Sequence, residues 1–576
     1  MNAVELNEEL SGFGALLLAS AVKSIYPTVK LGGGSVGEFG YYFDFEFSVP
    51  VKTEDLSKIE DEMKRLGKRA EVSVMEKTKS EAVKLFDKSG EPFLVELAGT
   101  RKGKIGIVKL GNTSVVADFA ICEKSPSVVK LTQITGAYWK GDAKNKMLTR
   151  IYGVAFKSKD ELAKYHEWQE DIKRRDHNKI GRELEYFTTD PMIGQGLPLI
   201  LPKGARIIKT LQRWVEDEEE KRGYMQVYTP DLTKSDLFKA SGHWTHYKDG
   251  MFVIGDERLD DEVFALKPMN CPFHIAIYKS QIRSYRDLPI RISETGKQYR
   301  NENSGEMHGL TRVRQYTLSD AHIFCRPDQV QQIFDECLQL TDFLVRSLGI
   351  QDRIWYRFSK WDPNNREKYI DNKEAWEKSE AVIREVLVRN KMKFVEAADE
   401  AAFYGPKIDI QAKNVYGKED TLFTVQLDFA LAEKFGLSYI DENGQKITPF
   451  LVHRASLGAY ERTFAFLLEH FAGALPVWLS PTQAVVMGIT NKQDDYVDEI
   501  FKNLRGKLRI EKDIRAEKVG YKIREHSKKK IPYLIVVGEK EREEGKISVR
   551  TREGSDLGTM NIEEFFGLGQ FNAPTE

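Results

Sequence analysis

Cysteine is scarce in this chain. Four occur in 576 residues, Cys122, Cys271, Cys325 and Cys337, at irregular spacing. That excludes a secreted disulfide framework and leaves the thiols for packing or for metal. Long apolar runs are missing too: nothing approaches the about 18 apolar residues of a membrane span, so no membrane partner is expected. MNAVELNEEL at the start has neither the basic residues nor the apolar stretch of a signal peptide, and a cytoplasmic protein is expected. The glycine-rich LGGGSVGEFG at 31–40 is followed by no GK[ST]. A phosphate-binding loop of that type is excluded, and the stretch reads as a turn between an apolar helix, ALLLASAVKSIY, and an alternating strand, YYFDFEFSV. Internal repeats and low-complexity tracts are absent. Charge of one sign is lacking as well, since the formal net charge is −1, which gives no global mark of a polyanionic partner.

What is present is more specific. Apolar residues make up 41% and charged residues 30%, an ordinary globular composition, and the length implies roughly three to four structural units. Residues 1–155 read as a mixed α+β unit. SKDELAKYHEWQEDIKRRDHNKIGREL, within 156–185, reads as a charged helical linker. A large unit with helices and β-rich runs such as TLFTVQLDFAL spans 186–475. The last part, 476–576, alternates strand and helix as a small sheet with crossover helices does, and its final residues, GQFNAPTE, are expected to fray. Charge is uneven within this last part: between Lys502 and Lys530 stand twelve Lys or Arg against four Asp or Glu. Such a segment can meet phosphate backbones or simply solvate a helix face.

Within 186–475 three stretches stand out. ARIIKTLQRWVEDEEEKRGY is a charged helix running into MQVYTP and stopping at Pro230. In IRISETGKQYRNENSGEMHGLTRVRQYTLSDAHIFC, Arg300 and Glu302 alternate to one face of a predicted strand, and Arg312 falls on the predicted return strand. LVHRASLGAYERTFAFLLEHF places Gly458 and Arg462 at a predicted helix start. Arg300, Arg312 and Arg462 offer planar forks suited to phosphate or carboxylate, although each taken singly reads more simply as a surface ion pair. ALKPMNCPFH (265–274) leaves three readings of Cys271: a core thiol, half of a local metal clip with His274, or a ligand whose partners lie far away.

Together the three stretches resemble the signature motifs of class II aminoacyl-tRNA synthetases, and the wording around them resembles the threonyl branch of that family: SGHW, KPMNCP, SYRDLP, DAHIFC, FYGPKI, TVQLDF and KIREH, in order from about Leu6 to Leu568. The resemblance implies a multidomain α+β and α/β chain. Its parts are an N-terminal editing-like α+β domain, a catalytic domain on an antiparallel sheet and a C-terminal α/β anticodon-binding domain. It also implies ATP-dependent ligation of L-threonine to tRNA(Thr) through a threonyl-adenylate, by a homodimer. A paralogue with altered amino acid or inhibitor response, or a non-catalytic tRNA-binding regulator, are the alternative readings.

Residue by residue, the resemblance implies one zinc ion per chain on Cys271, His322 and His453. Asp320 accepts from the substrate hydroxyl, with Tyr404 and Gln426 as further substrate contacts, and His274 is left as a helix-start or packing residue. For ATP with Mg²⁺ it implies Arg300 at the carboxylate and α-phosphate, Glu302 at the adenine, and Arg312 and Arg462 at the other phosphates. His243 takes a proton-transfer role and Lys407 a further catalytic position. Arg524, Lys530, Glu541 and Arg550 are implied anticodon contacts, the arginines and lysines suiting RNA phosphates and base edges. Leu318 and Thr421 depart from the pattern, each standing where glutamine is common. In the editing-like domain the family's polar residues are replaced by Gly12, Leu16 and Pro126, with only Cys122 kept, so that domain is expected to be inactive. The family's preceding ubiquitin-like module is expected to be absent.

Overall fold

The computed structural model describes residues 6–575 apart from 38, 39, 69 and 143. The chain divides into two compact units, 1–171 and 172–576. In the first, the helix Glu8–Ile25 is capped by the Asn7 side chain, which accepts from the Leu10 N–H at 2.8 Å. It is buried along Leu10–Val22 and packs on a four-stranded antiparallel sheet in the order Lys30–Gly37, Gly40–Glu46, Met147–Phe156, Val128–Tyr138. Residues 31–37 of the glycine-rich stretch are therefore strand, not the expected turn. Its glycines admit the side chains of the paired strand: a Cβ on Gly34 would lie 2.5 Å from the Phe43 ring, and one on Gly32 2.9 Å from the Asp44 Cβ.

The charged segment expected to be helical forms two helices, Lys159–Arg175 and His177–Glu183. Asp176 breaks it by turning its carboxylate onto the N–H groups of Asn178 and Lys179, at 2.7 and 3.0 Å.

The second unit is built on an eight-stranded sheet. Its strands in chain order are β1 (Met225–Gln226), β2 (Ile290–Tyr299), β3 (Gln315–Cys325), β4 (Ile354–Ser359), β5 (Phe394–Ala397), β6 (Lys407–Lys413), β7 (Glu419–Asp428) and β8 (Phe450–Ala459). They lie side by side as β1-β2-β3-β8-β7-β6-β4-β5, antiparallel except at the two ends of the sheet. Alternation along the strands sorts their residues. Ala321 and Ile323 of β3, Val425 and Leu427 of β7 and Val452 of β8 join one core with residues of the helices Pro202–Lys221, Val330–Leu348 and Tyr460–His470. Asp320, His322, Gln426, Asp428 and His453 alternate with them and face the other way.

A buried ion pair ties one of those helices to the sheet. Glu219 of Pro202–Lys221 accepts from Arg454 of β8 at 3.1 Å and from the Ser456 hydroxyl at 2.7 Å, and the Arg454 guanidinium lies over the Tyr224 ring at 4.2 Å.

The last part of the chain is a five-stranded sheet whose first three strands, Ile510–Asp513, Ala484–Gly488 and Tyr533–Val537, are parallel. Its end does not fray as expected. Phe571 is buried and its carbonyl accepts from Gln483 at 2.6 Å, and the Pro574 carbonyl accepts from Trp214 Nε1 at 2.7 Å. The sequence signal was polar composition, while the anchor is one aromatic side chain.

Removing one member of the buried pair strands the other. Glu219→Ala or Arg454→Met alone is expected to destabilise the second unit by about 3–5 kcal/mol, and an apolar replacement of both to recover most of that, as read from denaturant unfolding.

Candidate active site

Three strands bring together residues far apart in sequence. His322 on β3 is directly opposite His453 on β8, and Gln426 on β7 is opposite His453 on its other side. Cys271 opens the helix Cys271–Lys279 beneath them. Its Sγ lies 3.3 Å from His453 Nδ1, and His322 Nε2 lies 2.9 Å from the same nitrogen. The three donor atoms fall within 4.8 Å of one another, all on buried residues.

The outer hydrogen bonds fix how these rings are protonated. His453 Nε2 donates to Asp428 at 2.8 Å, and the other oxygen of Asp428 accepts from the N–H groups of Ala430 and Leu431. His322 Nδ1 lies 2.8 Å from His274 Nδ1, and His274 Nε2 lies 3.2 Å from Glu294 Oε2. With His274 donating to Glu294, His322 donates to His274. Two imidazole lone pairs and a sulfur then face one point, an arrangement that a cation satisfies. One thiol and two imidazoles are a suitable donor set for zinc with a position left open. His274, read from the sequence as a packing residue, is instead the link between His322 and Glu294. Its place one helical turn from Cys271 could be read from spacing, but not the strand it points toward.

Charges around the cluster are strongly biased. Burial, with Asp320 and Asp428 nearby, pushes the Cys271 thiol well up, and burial beside two other imidazoles holds His322 well down. Burial and the facing Glu294 push Asp320 up to about 7. Burial works the same way on Glu294, but hydrogen bonds from His274 and Thr229 and the Lys267 charge outweigh it and bring it down to about 2. A cation in the cluster would draw Asp320 back towards its carboxylate form. Tyr404 closes the side: its ring stacks on His453 at 4.9 Å and its hydroxyl donates to Gln426 at 2.8 Å.

Beside this lies a cleft lined by Arg300, Glu302, Arg312, Leu318, Thr421 and Arg462, among others. Arg300 is not on a strand, because β2 ends at Tyr299, and Arg312 is not on the return strand, because β3 begins at Gln315. The polar NENSGEM run forms a loop instead, closed by paired backbone bonds between His308 and Arg312. The Arg300 guanidinium lies over the rings of Tyr316 and Tyr247, and its buried Nε–H has no hydrogen-bond partner among the described residues. Its charge is felt by Cys271 and Tyr404 on one side and by Arg462 on the other. Arg462 donates to the Thr311 and Thr421 carbonyls at 3.1 and 3.2 Å. Burial, together with the like charges of Arg300 and Arg312, lowers its affinity for its proton.

Arg312 makes the ion pairs that each arginine, taken singly, suggested: its fork engages Glu302 and Glu306 at 2.7 and 2.9 Å. Arg312 and Glu306 are half-exposed, so that pair can yield to a phosphate at little cost, whereas the Glu302 carboxylate is largely buried. Leu318 and Thr421 both line this cleft, and the Thr421 hydroxyl accepts from Gln411 at 2.6 Å.

His243 is buried with Nδ1 2.8 Å from the Ser241 hydroxyl and packs edge-on against Phe403. Lys407 pairs with Asp409, which also accepts from Ser359 and Thr424. In the last part of the chain Arg524 is exposed on the helix Val519–Lys528, Lys530 follows that helix, and Arg550 pairs with Asp556 at 2.8 Å. Glu541 spends one oxygen capping its own helix at the Gly538 N–H, 2.8 Å away. In the first unit the replaced positions Gly12 and Leu16 are tightly packed among the described residues. A Cβ on Gly12 would lie 2.1 Å from the Ala120 carbonyl oxygen, Leu16 is fully buried, and the Cys122 thiol, raised by burial and Glu9, donates to the Lys124 carbonyl.

Residues 252–471 match the tRNA synthetase class II core domain (G, H, P, S and T), and 483–568 match an anticodon binding domain. A threonine–tRNA ligase of Clostridium botulinum is 54% identical over 95% of this chain and 86% of its own length, and one of Geobacillus kaustophilus is 44% identical over 96% and 86%. The crystal structure of the RNA binding domain of threonyl-tRNA synthetase from Cryptosporidium parvum superposes with a TM-score of 0.64 at 34% identity, covering 69% of this chain and 99% of that one. The chain belongs to the threonyl-tRNA synthetase family.

Proposed function

We propose that this chain ligates L-threonine to tRNA(Thr) in two steps, first forming threonyl-adenylate from threonine and ATP and then passing the threonyl group to the terminal ribose of the tRNA. The observation that carries the reading is the position of Arg300, whose buried Nε–H has no partner among the described residues and which lies between a Cys–His–His cluster and an arginine-lined cleft. Such a donor suits a group that is anionic in both substrates, the threonine carboxylate and the α-phosphate.

Cys271, His322 and His453 hold zinc in this reading. Bound there, zinc supplies recognition of the substrate amine and hydroxyl. Asp320 accepts from the hydroxyl, and Tyr404 and Gln426 border the amino acid. Valine would leave these polar groups unpaired, a difference on the order of 10⁴ or more, whereas serine loses only a methyl group, worth about 1 to 3 kcal/mol.

ATP, with its Mg²⁺, occupies the arginine cleft, with Glu302 at the adenine and Arg312 and Arg462 at the outer phosphates. Arg300 brings carboxylate and α-phosphate together for in-line attack, and pyrophosphate leaves; the residues act by positioning and charge neutralisation. His243, oriented by Ser241, takes the proton of the ribose hydroxyl in the transfer step, and Lys407 supports the same end of the site. Arg524, Lys530, Glu541 and Arg550 meet the anticodon. Exposed Met192, Met225 and Tyr228 flank the first motif helix and support a homodimer through that motif. The catalytic set gives the regulator and altered-substrate readings no particular support. The packed Gly12 position supports a first domain that does not hydrolyse seryl-tRNA. Domain limits of 1–155, 156–185, 186–475 and 476–576 remain our reading of the organisation.

Three outcomes are expected. Threonine-dependent exchange of pyrophosphate into ATP should be robust; no exchange with any amino acid, or exchange with another but not threonine, overturns the function. Metal analysis should give about one zinc per chain, with Cys271→Ala losing it and His274→Ala weakening retention about 10–100-fold in chelator competition. Incubated with seryl-tRNA(Thr), the chain alone should leave the ester intact, and rapid deacylation would sink the inactive-domain reading.

A further inference from the structure

A buried network beside the cleft is used by none of these roles. His177 opens the helix His177–Glu183 and is fully buried. Its Nδ1 lies 2.6 Å from Glu469 Oε1, and its Nε2 lies 3.2 Å from the Leu310 N. A backbone N–H can only donate, so Nε2 carries the lone pair and the ring proton sits on Nδ1, donated to Glu469. The second oxygen of Glu469 accepts from the Val415 N–H at 3.3 Å. Gly309 has φ +48, and a Cβ there would lie 2.1 Å from His177 Nε2 and 2.4 Å from Asn178 Oδ1. The loop reaches the imidazole only because this residue has no side chain. His308 packs edge-on between His177 and Tyr416, and the Tyr416 hydroxyl donates to Asp176 at 2.6 Å.

The anchored residue itself reaches the cleft. Leu310 is fully buried and, with Thr311, lines the cleft; the Thr311 carbonyl accepts from Arg462 Nε, and Arg312 follows. We propose that His177 is a positioning residue for ATP, holding Leu310 so that the Thr311 carbonyl orients Arg462 and the loop presents Arg312. The proposal rests on the nucleotide reading of that cleft. Without the imidazole acceptor the Leu310 N–H is buried and unpaired, a state the loop relieves by moving away.

The test measures MgATP binding calorimetrically on the full chain, with pyrophosphate exchange for the KM values. His177→Phe keeps a ring of similar size and removes both hydrogen bonds. It is expected to raise the Kd for MgATP about tenfold or more while the KM for threonine changes less than about twofold. His177→Gln, whose amide oxygen can accept from Leu310, should recover most of the loss. A merely structural role would lower the melting temperature and active fraction but leave the Kd per folded molecule unchanged, and that result overturns the proposal. Should His177→Phe yield no folded chain, Gly309→Ala, which pushes the loop off an intact imidazole, decides it: weakened MgATP binding upholds the proposal and unchanged binding overturns it. MgATP binding without threonine-dependent exchange in the parent defeats the threonine reading alone, whereas no MgATP binding by the parent defeats both.

Discussion

The pairing of β3 with β8 is the constraint on which the site depends. His322 and His453 meet because they are cross-strand neighbours in that ladder. A slip of one residue would turn the displaced strand's histidine to the opposite face, since side chains alternate. With β3 displaced His322 would enter the helix-side core, and with β8 displaced Arg454 would stand where His453 stands. The Glu219–Arg454 pair works against that slip from the far face of the sheet, because a displaced Arg454 would leave Glu219 buried without its cation. The geometry of the Cys–His–His cluster and the buried ion pair are thus set by adjacent residues of one strand.

The cleft follows a different logic. Arg300, Arg312 and Arg462 are close enough to repel, and two of them are largely withdrawn from water. Their cost is met in part by backbone carbonyls, aromatic faces and the carboxylates of Glu302 and Glu306. None of these neutralises Arg300 or Arg462 with a full opposite charge at contact. Donors fixed in this way need little rearrangement when an anion arrives, which is the condition under which electrostatic stabilisation is strongest.

Much of this was legible in the sequence, though by different routes. Alternation and helical period gave the elements of the last part of the chain, and collinear motifs gave the family. Spacing alone left Cys271 with three readings, because whether a partner at position 274, 322 or 453 is near depends on strand order, which no local pattern encodes. Arg300 and Arg312 were placed on strands since they continue an alternating pattern, but turn-forming Asn, Ser and Gly residues between them end the ladder sooner. The glycines at 32–34 signalled a turn by composition; their meaning lay in the bulky neighbours of the paired strand. His177 carried no signal at all, as its two partners are 133 and 292 residues away.

The packing at Gly12 has a bearing on how the first domain can change. A polar side chain there must displace the Ala120 carbonyl, and one at position 16 must replace a fully buried leucine. Each step toward a hydrolytic cleft costs fold stability before any chemistry is gained, because a lone imidazole in that packed layer has neither substrate nor partner. The interior of the helix Glu8–Ile25 therefore acts as a latch: single substitutions there are disfavoured, and opening a pocket would need helix and facing loop to change together.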